Sequence, residues 1–183
     1  LILVTGHALA LSPAVNRILV WIAGKGSNPV RAGMIVAFVA GICCFLSWGF
    51  GLIVGGLLAL EIAKRTKKVD YPYLIAAGYS GFVIWHMGIS GSIPLLLATA
   101  KSPQNFIEKI TGMTVPVSQT IFQPYNLIPA LLIIFTLPVL FALMHPKEEE
   151  VVSISKERLD QMESDIVAVE KPANPTLAER IDH

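Results

Sequence analysis

The chain has 183 residues, 54% hydrophobic and 15% charged, with a formal net charge of +1 and a mean hydropathy of +0.63. A soluble domain of this size carries more charge, spread along its length; here no Asp, Glu, Lys or Arg falls within 32–60, 71–100 or 110–144. The net charge itself argues nothing about nucleic acid; basic and aromatic residues are not interleaved, so no nucleic-acid partner is expected, and the segregation of charge makes the lipid bilayer the expected surroundings.

Residues 1–11 read as the end of a membrane helix, broken by Ser12-Pro13. Residues 12–31 follow as an interfacial segment, a short amphipathic helix over Asn16–Ile22 with Arg17 and Trp21 as anchors and then a loop to Arg31. The charge-free run 32–60 is too long for one span of about 20 residues and too short for two spans and a turn, which need over ~40. Broken near its middle by Ser47-Trp48-Gly49-Phe50-Gly51, the segment 32–63 predicts a re-entrant hairpin that enters the bilayer and returns. A basic turn, 64–70, follows, and 71–100 predicts a discontinuous membrane helix interrupted by Gly88-Ile89-Ser90-Gly91-Ser92 and Pro94. Residues 101–125 form a polar loop, 126–145 a membrane helix in which Pro129 and Pro138 are candidate kinks, and 146–183 a polar linker. That linker holds five basic and ten acidic residues from Lys147 on, and its periodic stretch Leu159, Met162, Ile166, Val169 suggests a short amphipathic helix. The expected fold class is therefore an all-α multi-pass membrane protein.

Topology follows from the basic residues, which favour the cytoplasmic side of span ends. A single crossing at 32–63 would put Arg17, Lys25 and Arg31 opposite Lys64, Arg65, Lys67 and Lys68. A hairpin that returns puts all seven on one face, makes 64–70 and 146–183 cytoplasmic, and makes 101–125 extracytoplasmic. The chain opens inside an apolar stretch and closes just after a capping box, Thr176 with Glu179, so an internal piece of a longer membrane protein is expected.

Chemistry is expected where helices are broken, because non-helical backbone at membrane depth survives only against protein or a water-filled cavity. The tip, Ser47 to Gly51, and the break, Ser90, Gly91 and Ser92, both combine glycines with hydroxyls. Half-helix N-termini favour anions and unwound carbonyls favour cations. Gly49 and Gly51 suit backbone at positive φ; close helix packing is the competing reading, and it accounts for Gly55 and Gly56 better than for Trp48 and Phe50. His86 is the sole titratable side chain of 71–100 besides tyrosine, and so a candidate proton carrier, with a structural histidine as the alternative. Glu61 is expected to pair with Lys64 and Arg65. Cys43 and Cys44 lack the spacing of a metal site or a disulfide framework and read as packing residues. No nucleotide loop, metal triad or nucleophile–base arrangement points to an enzyme, and no organic cofactor is expected.

Several stretches together are similar to the short-chain fatty acid transporter family of bacteria. They are Ser47-Trp-Gly-Phe-Gly-Leu-Ile-Val-Gly55, Val69-Asp-Tyr-Pro72, Ala76-Ala-Gly-Tyr-Ser-Gly-Phe-Val-Ile-Trp-His86, Gly88-Ile-Ser-Gly-Ser-Ile-Pro94, Pro116-Val-Ser-Gln-Thr-Ile-Phe122 and Pro124-Tyr-Asn-Leu127. The resemblance covers essentially the whole chain, and family members are more than twice as long. It implies secondary transport of short-chain carboxylates across the cytoplasmic membrane, driven by Na⁺ or H⁺. More distantly it implies the ion transporter superfamily, built from inverted repeats of a re-entrant hairpin and a discontinuous helix, with substrate and ions between tip and break. Ser47, Trp48, Gly49, Phe50, Gly51, Ser90, Gly91 and Ser92 are the implied substrate site; oxygens at Ser47, Ser90 and Ser92 are candidate sodium ligands because hard cations prefer oxygen, with a proton carried by His86 or by the substrate's own carboxyl as the competing reading. The expected partners are a small carboxylate, the bilayer, the remaining half of the protein and, as a candidate, further copies of it. A membrane scaffold that does not transport, or a carrier of larger carboxylates, are the alternatives.

Overall fold

The structure, a computed structural model, describes residues 2–26, 28–66 and 68–167. Leu1, Lys67, Val169 and the capping box at Thr176 and Glu179 lie outside the described residues. Two compact units are present, residues 1–153 and 154–183. All regular elements among the described residues are helical.

In the first unit, α1 (Ile2–Ala10) ends at a junction that also starts α2 (Pro13–Ala23). Ser12 caps α2 by accepting the Val15 N–H at 3.4 Å, and Pro13, which has no N–H to leave unpaired, takes the first helical position. The α2 helix buries Leu19 and Ala23 and exposes Ile18 and Trp21. Lys25 Nζ lies 3.6 Å from the centre of the Trp21 ring.

Asn28 and Pro29 repeat the same start for α3 (Pro29–Leu46), with Asn28 accepting the Val30 N–H at 2.9 Å. A single extended residue, Ser47 (φ −152°, ψ 115°), separates α3 from α4 (Trp48–Arg65). These two helices form an antiparallel hairpin closed at both ends. Near the tip, Gly51 lies directly on the Cys44 backbone. At the base, the buried Thr66 hydroxyl donates to Gly26 O at 2.8 Å. Each arm has 18 residues, about 27 Å of helix. The arms thus run past the charge-free stretch into Arg31 and into Glu61, which binds Arg65 at 2.6 Å and Lys64 at 3.5 Å. The predicted five-residue interruption is one residue wide. Gly49 and Gly51 sit in the first turn of α4, and neither has positive φ, since the glycine in that region among the described residues is Gly112. Contact, not backbone conformation, makes glycine necessary at 51.

Next, α5 (Tyr71–Ser80) packs on both arms. Its backbone crosses α4 where two glycines meet: a Cβ on Gly55 would stand 2.8 Å from Gly78 O, and one on Gly78 2.9 Å from Gly55 C. Tyr73 fills the space over Gly33 and donates its hydroxyl to Phe141 O. The α-helix stops at Ser80, earlier than predicted; a 3-10 turn (Gly81–Ile84) and irregular backbone lead to α6 (Ser92–Ala98), whose first turn takes Pro94. The polar loop is also more ordered than its sequence suggests. It contains α7 (Phe106–Thr111), and the fully buried Asn105 donates to Leu97 O and Thr99 O while accepting the Glu108 N–H.

The helix α8 (Pro124–Leu143) runs through Pro129 and Pro138 as one element. Both α3 and α8 are long and apolar enough to cross a membrane. After α8 the chain returns to α5: Asp70 Oδ1 accepts the Tyr73 N–H at 2.7 Å and Oδ2 the Val152 N–H at 2.7 Å, while the Tyr71 N–H donates to Val152 O at 3.0 Å. Residues through Ser153 therefore belong to the first unit instead of to a linker. In the second unit, Ser155 accepts the Arg158 N–H at the start of α9 (Lys156–Val167), which carries the periodic Leu159 and Met162.

Candidate functional site

The tip of the hairpin and the break after α5 meet. The Trp48 N–H, first in α4, donates to Ser90 Oγ at 3.0 Å, and the Ile89 N–H donates to Phe45 O at 2.7 Å. The approach is close enough that Gly88 lies against the Phe45 carbonyl with no room for a Cβ, and a Cβ on Gly91 would likewise stand only 2.6 Å from His86 O. On the far side of the break, Asn126 Nδ2 bonds Met87 O at 2.9 Å and so ties it to the start of α8. Gly6 of α1 brings that helix against the tip, 2.9 Å from Phe50 N to its would-be Cβ.

Aromatic rings gather on this junction. Trp48 meets Trp85 edge-on at 5.7 Å and Phe82 at 5.8 Å; Phe82 and Trp85 are 5.0 Å apart, and Trp85 lies 3.8 Å from His86. Within the cluster, Trp48 Nε1 and His86 Nδ1 are buried and have no hydrogen-bond partner. An indole N–H is a donor only, whereas an imidazole nitrogen donates or accepts according to its tautomer. Buried polar atoms are nearly always bonded, so this cluster is less completely bonded within the chain than buried groups usually are. No charged residue belongs to the tip or the break. Ser47 makes no cap bond with its side chain.

Of the residues named from sequence, Ser47, Trp48, Ser90, Gly91 and His86 come together at this junction. Gly49, Phe50 and Gly51 form the adjoining turn of α4. Ser92 opens α6 and is exposed. Among the described residues no three of His, Cys, Asp and Glu cluster to hold a metal ion.

The family model for the short chain fatty acid transporter matches residues 1–183. The chain belongs to that family. Two curated relatives, both named as short-chain fatty acid transporters, align along the whole chain. One is from Escherichia coli (strain K12), 41% identical over 182 residues, and the other from Haemophilus influenzae, 37% identical over 185 residues. The chain spans 40% and 41% of their lengths. No solved structure matches it. The family is one of membrane transporters, not of enzymes.

Sequence reasoning missed Phe82, Trp85, Asn126 and Gly6. An aromatic pair three residues apart just before His86 was a legible signal. Asn126, a lone amide opening an apolar run, was another. Gly6 carried none, because a glycine in an apolar helix shows its neighbour only after folding.

Proposed function

We propose that the chain forms part of a secondary transporter that moves short-chain fatty acids, small monocarboxylates such as butyrate, across the bacterial cytoplasmic membrane. The observation that carries this reading is the junction itself, where the Trp48 N–H meets Ser90 Oγ and two interrupted helices share backbone contacts. The substrate carboxylate would accept from Trp48 Nε1 and from the hydroxyls of Ser47 and Ser90, with the first turn of α4, Gly49 to Gly51, and the Gly91–Ser92 turn closing around it. A positive helix end stabilises such an anion without a buried Lys or Arg. A small monocarboxylate needs less neutralisation than a larger, multiply charged acid.

In this reading the hairpin re-enters from the cytoplasm. The Thr66–Gly26 bond supports it, because that bond sets the loop holding Lys25 beside the α4 end holding Lys64 and Arg65, in keeping with the positive-inside rule. The rest of the full-length protein supplies an inverted second half of the site, and copies of the protein associate as a homo-oligomer. Na⁺ is the preferred coupling ion, held by oxygens of Ser47, Ser90 and Ser92 and completed by the substrate carboxylate. Ion and substrate then raise each other's affinity by the same factor. The unpartnered Nδ1 of His86 favours a second reading, proton coupling.

The test is uptake of labelled butyrate by the full-length protein in vesicles, first with an imposed Na⁺ gradient and then with an imposed pH gradient. Uptake that follows Na⁺ is expected. Uptake indifferent to Na⁺ and lost in His86→Ala assigns coupling to the proton. No uptake under either gradient contradicts transport and favours a scaffold.

A further inference from the structure

The first carboxylate side chain in the sequence is Glu61, and before it stand Arg17, Lys25 and Arg31. Helix α2 shows where two of these three cations go. It turns Leu19 and Ala23 inward, and its outer face carries Arg17, Ile18 and Trp21, with Trp21 64% and Ile18 55% exposed. Residues four apart share a helix face. Arg17 therefore stands one turn before Trp21, and Lys25, four residues after it, lays its ammonium on the ring at 3.6 Å. The next carboxylates along the chain are already engaged: Glu61 holds Arg65 and Lys64, and both Asp70 oxygens take backbone N–H groups. Among the described residues, neither these two nor Glu148, Glu149 and Glu150 pair with Arg17, Lys25 or Arg31.

We propose that this face of α2 lies in the headgroup layer of the cytoplasmic leaflet and docks an anionic phospholipid, its phosphate held by Arg17 and Lys25 and its glycerol region against Trp21 and Ile18. The inference rests on the cytoplasmic placement of the hairpin base proposed above and goes beyond the transported substrate. The make-up of the face selects the occupant. Bulk water suits the two cations but not the two large apolar side chains between them. The hydrocarbon core suits the apolar pair but not the cations. The interface of an anionic bilayer suits both: tryptophan sits at headgroup depth, and basic side chains on a helix lying in that plane attract anionic lipid. Arg offers a planar fork that matches two phosphate oxygens, and Lys a single mobile charge. The bond from Thr66 to Gly26 carries the contact into the hairpin, because it fastens the loop bearing Lys25 to the end of α4. Docked lipid thereby steadies the base. Each basic residue near an anionic surface contributes about a fivefold gain in affinity.

The experiment follows the thermal midpoint of the purified full-length protein in neutral detergent as phosphatidylglycerol, or phosphatidylcholine with the same acyl chains, is added to the micelles. Phosphatidylglycerol should raise the midpoint further, and salt at about 0.5 M should weaken the difference. Arg17→Gln combined with Lys25→Gln should leave the midpoint in phosphatidylcholine unchanged, since both side chains are exposed. It should raise the half-effect mole fraction of phosphatidylglycerol by at least tenfold. Arg17→Lys combined with Lys25→Arg, which keeps one fork and one ammonium, should respond as the unaltered protein does. Equal midpoints in the two lipids for the unaltered protein, or a phosphatidylglycerol response that survives the double Gln variant, overturn the site. Inorganic phosphate that reproduces the response at the same concentration overturns lipid as the occupant. None of these readings needs transport, so their failure leaves butyrate uptake standing, and loss of butyrate uptake leaves them standing. Lys25→Cys that an impermeant thiol reagent labels only from outside the cell overturns the cytoplasmic placement and the leaflet assigned here.

Discussion

The two ends of the hairpin are built on opposite principles. At the base, polar groups are matched: Asp70 takes two backbone N–H groups, Thr66 bonds Gly26, and Tyr73 bonds Phe141, with His145 Nε2 the exception. At the tip, a helix end meets a break through two hydrogen bonds, and Trp48 Nε1 and His86 Nδ1 have no partner. A matched buried group fixes one structure, whereas an unmatched one keeps its desolvation cost until something binds. The base is thus the more completely bonded end of the unit, and the tip the less completely bonded one.

Substitutions at the base should destabilise first and impair uptake only as a consequence. Asp70→Ala removes the α5 cap, leaving the buried Tyr73 N–H unpaired, and also frees the part-buried Val152 N–H. It should cost roughly 3 kcal/mol, seen as loss of folded full-length protein in detergent on a thermal ramp. Asp70→Asn, which keeps one acceptor, should cost about half as much. Gly55→Ala drives a Cβ into Gly78 O and should cost about 3 kcal/mol. At the tip the pattern should invert. Ser90→Ala removes one acceptor from a site that is partly open, about 1 kcal/mol, yet butyrate uptake should drop at least tenfold with folded protein retained. Gly56→Ala is the smallest effect: a Cβ there meets nothing within 4 Å, so the helix should be unchanged or firmer by about 0.5 kcal/mol. Similar stability losses for Ser90→Ala and Asp70→Ala would erase the distinction between the two ends.

The sequence made the two-armed hairpin legible because one uncharged run is interrupted near its middle, at Ser47-Trp48-Gly49. It left the arm lengths short, since helices ignore the boundary of charge: Arg31 and Glu61 to Arg65 continue the same hydrogen-bonded ladder. The break was found from Gly88 to Ser92 but begins at Gly81, where the chain passes against the Ala40 backbone. Gly81 gives no local sign of that contact. Asp70 shows the same limit. Before Tyr71-Pro72 it is visible as a helix cap, but its second oxygen serves Val152, 82 positions away. Pairing of that range has no sequence period to betray it. Tip and break were legible as glycine-and-serine patches, while their direct contact came only from folding.

The central claim is that tip and break form one carboxylate site. Single cysteines at Ser47 and Ser90, with a control at Lys25, in a full-length protein stripped of its other cysteines, can be labelled with a small thiol reagent with and without butyrate. Butyrate at concentrations that saturate uptake should slow labelling at both 47 and 90, by the same half-effect concentration, and leave 25 untouched. Labelling at 47 and 90 that is indifferent to butyrate, in a protein that transports it, would contradict the account.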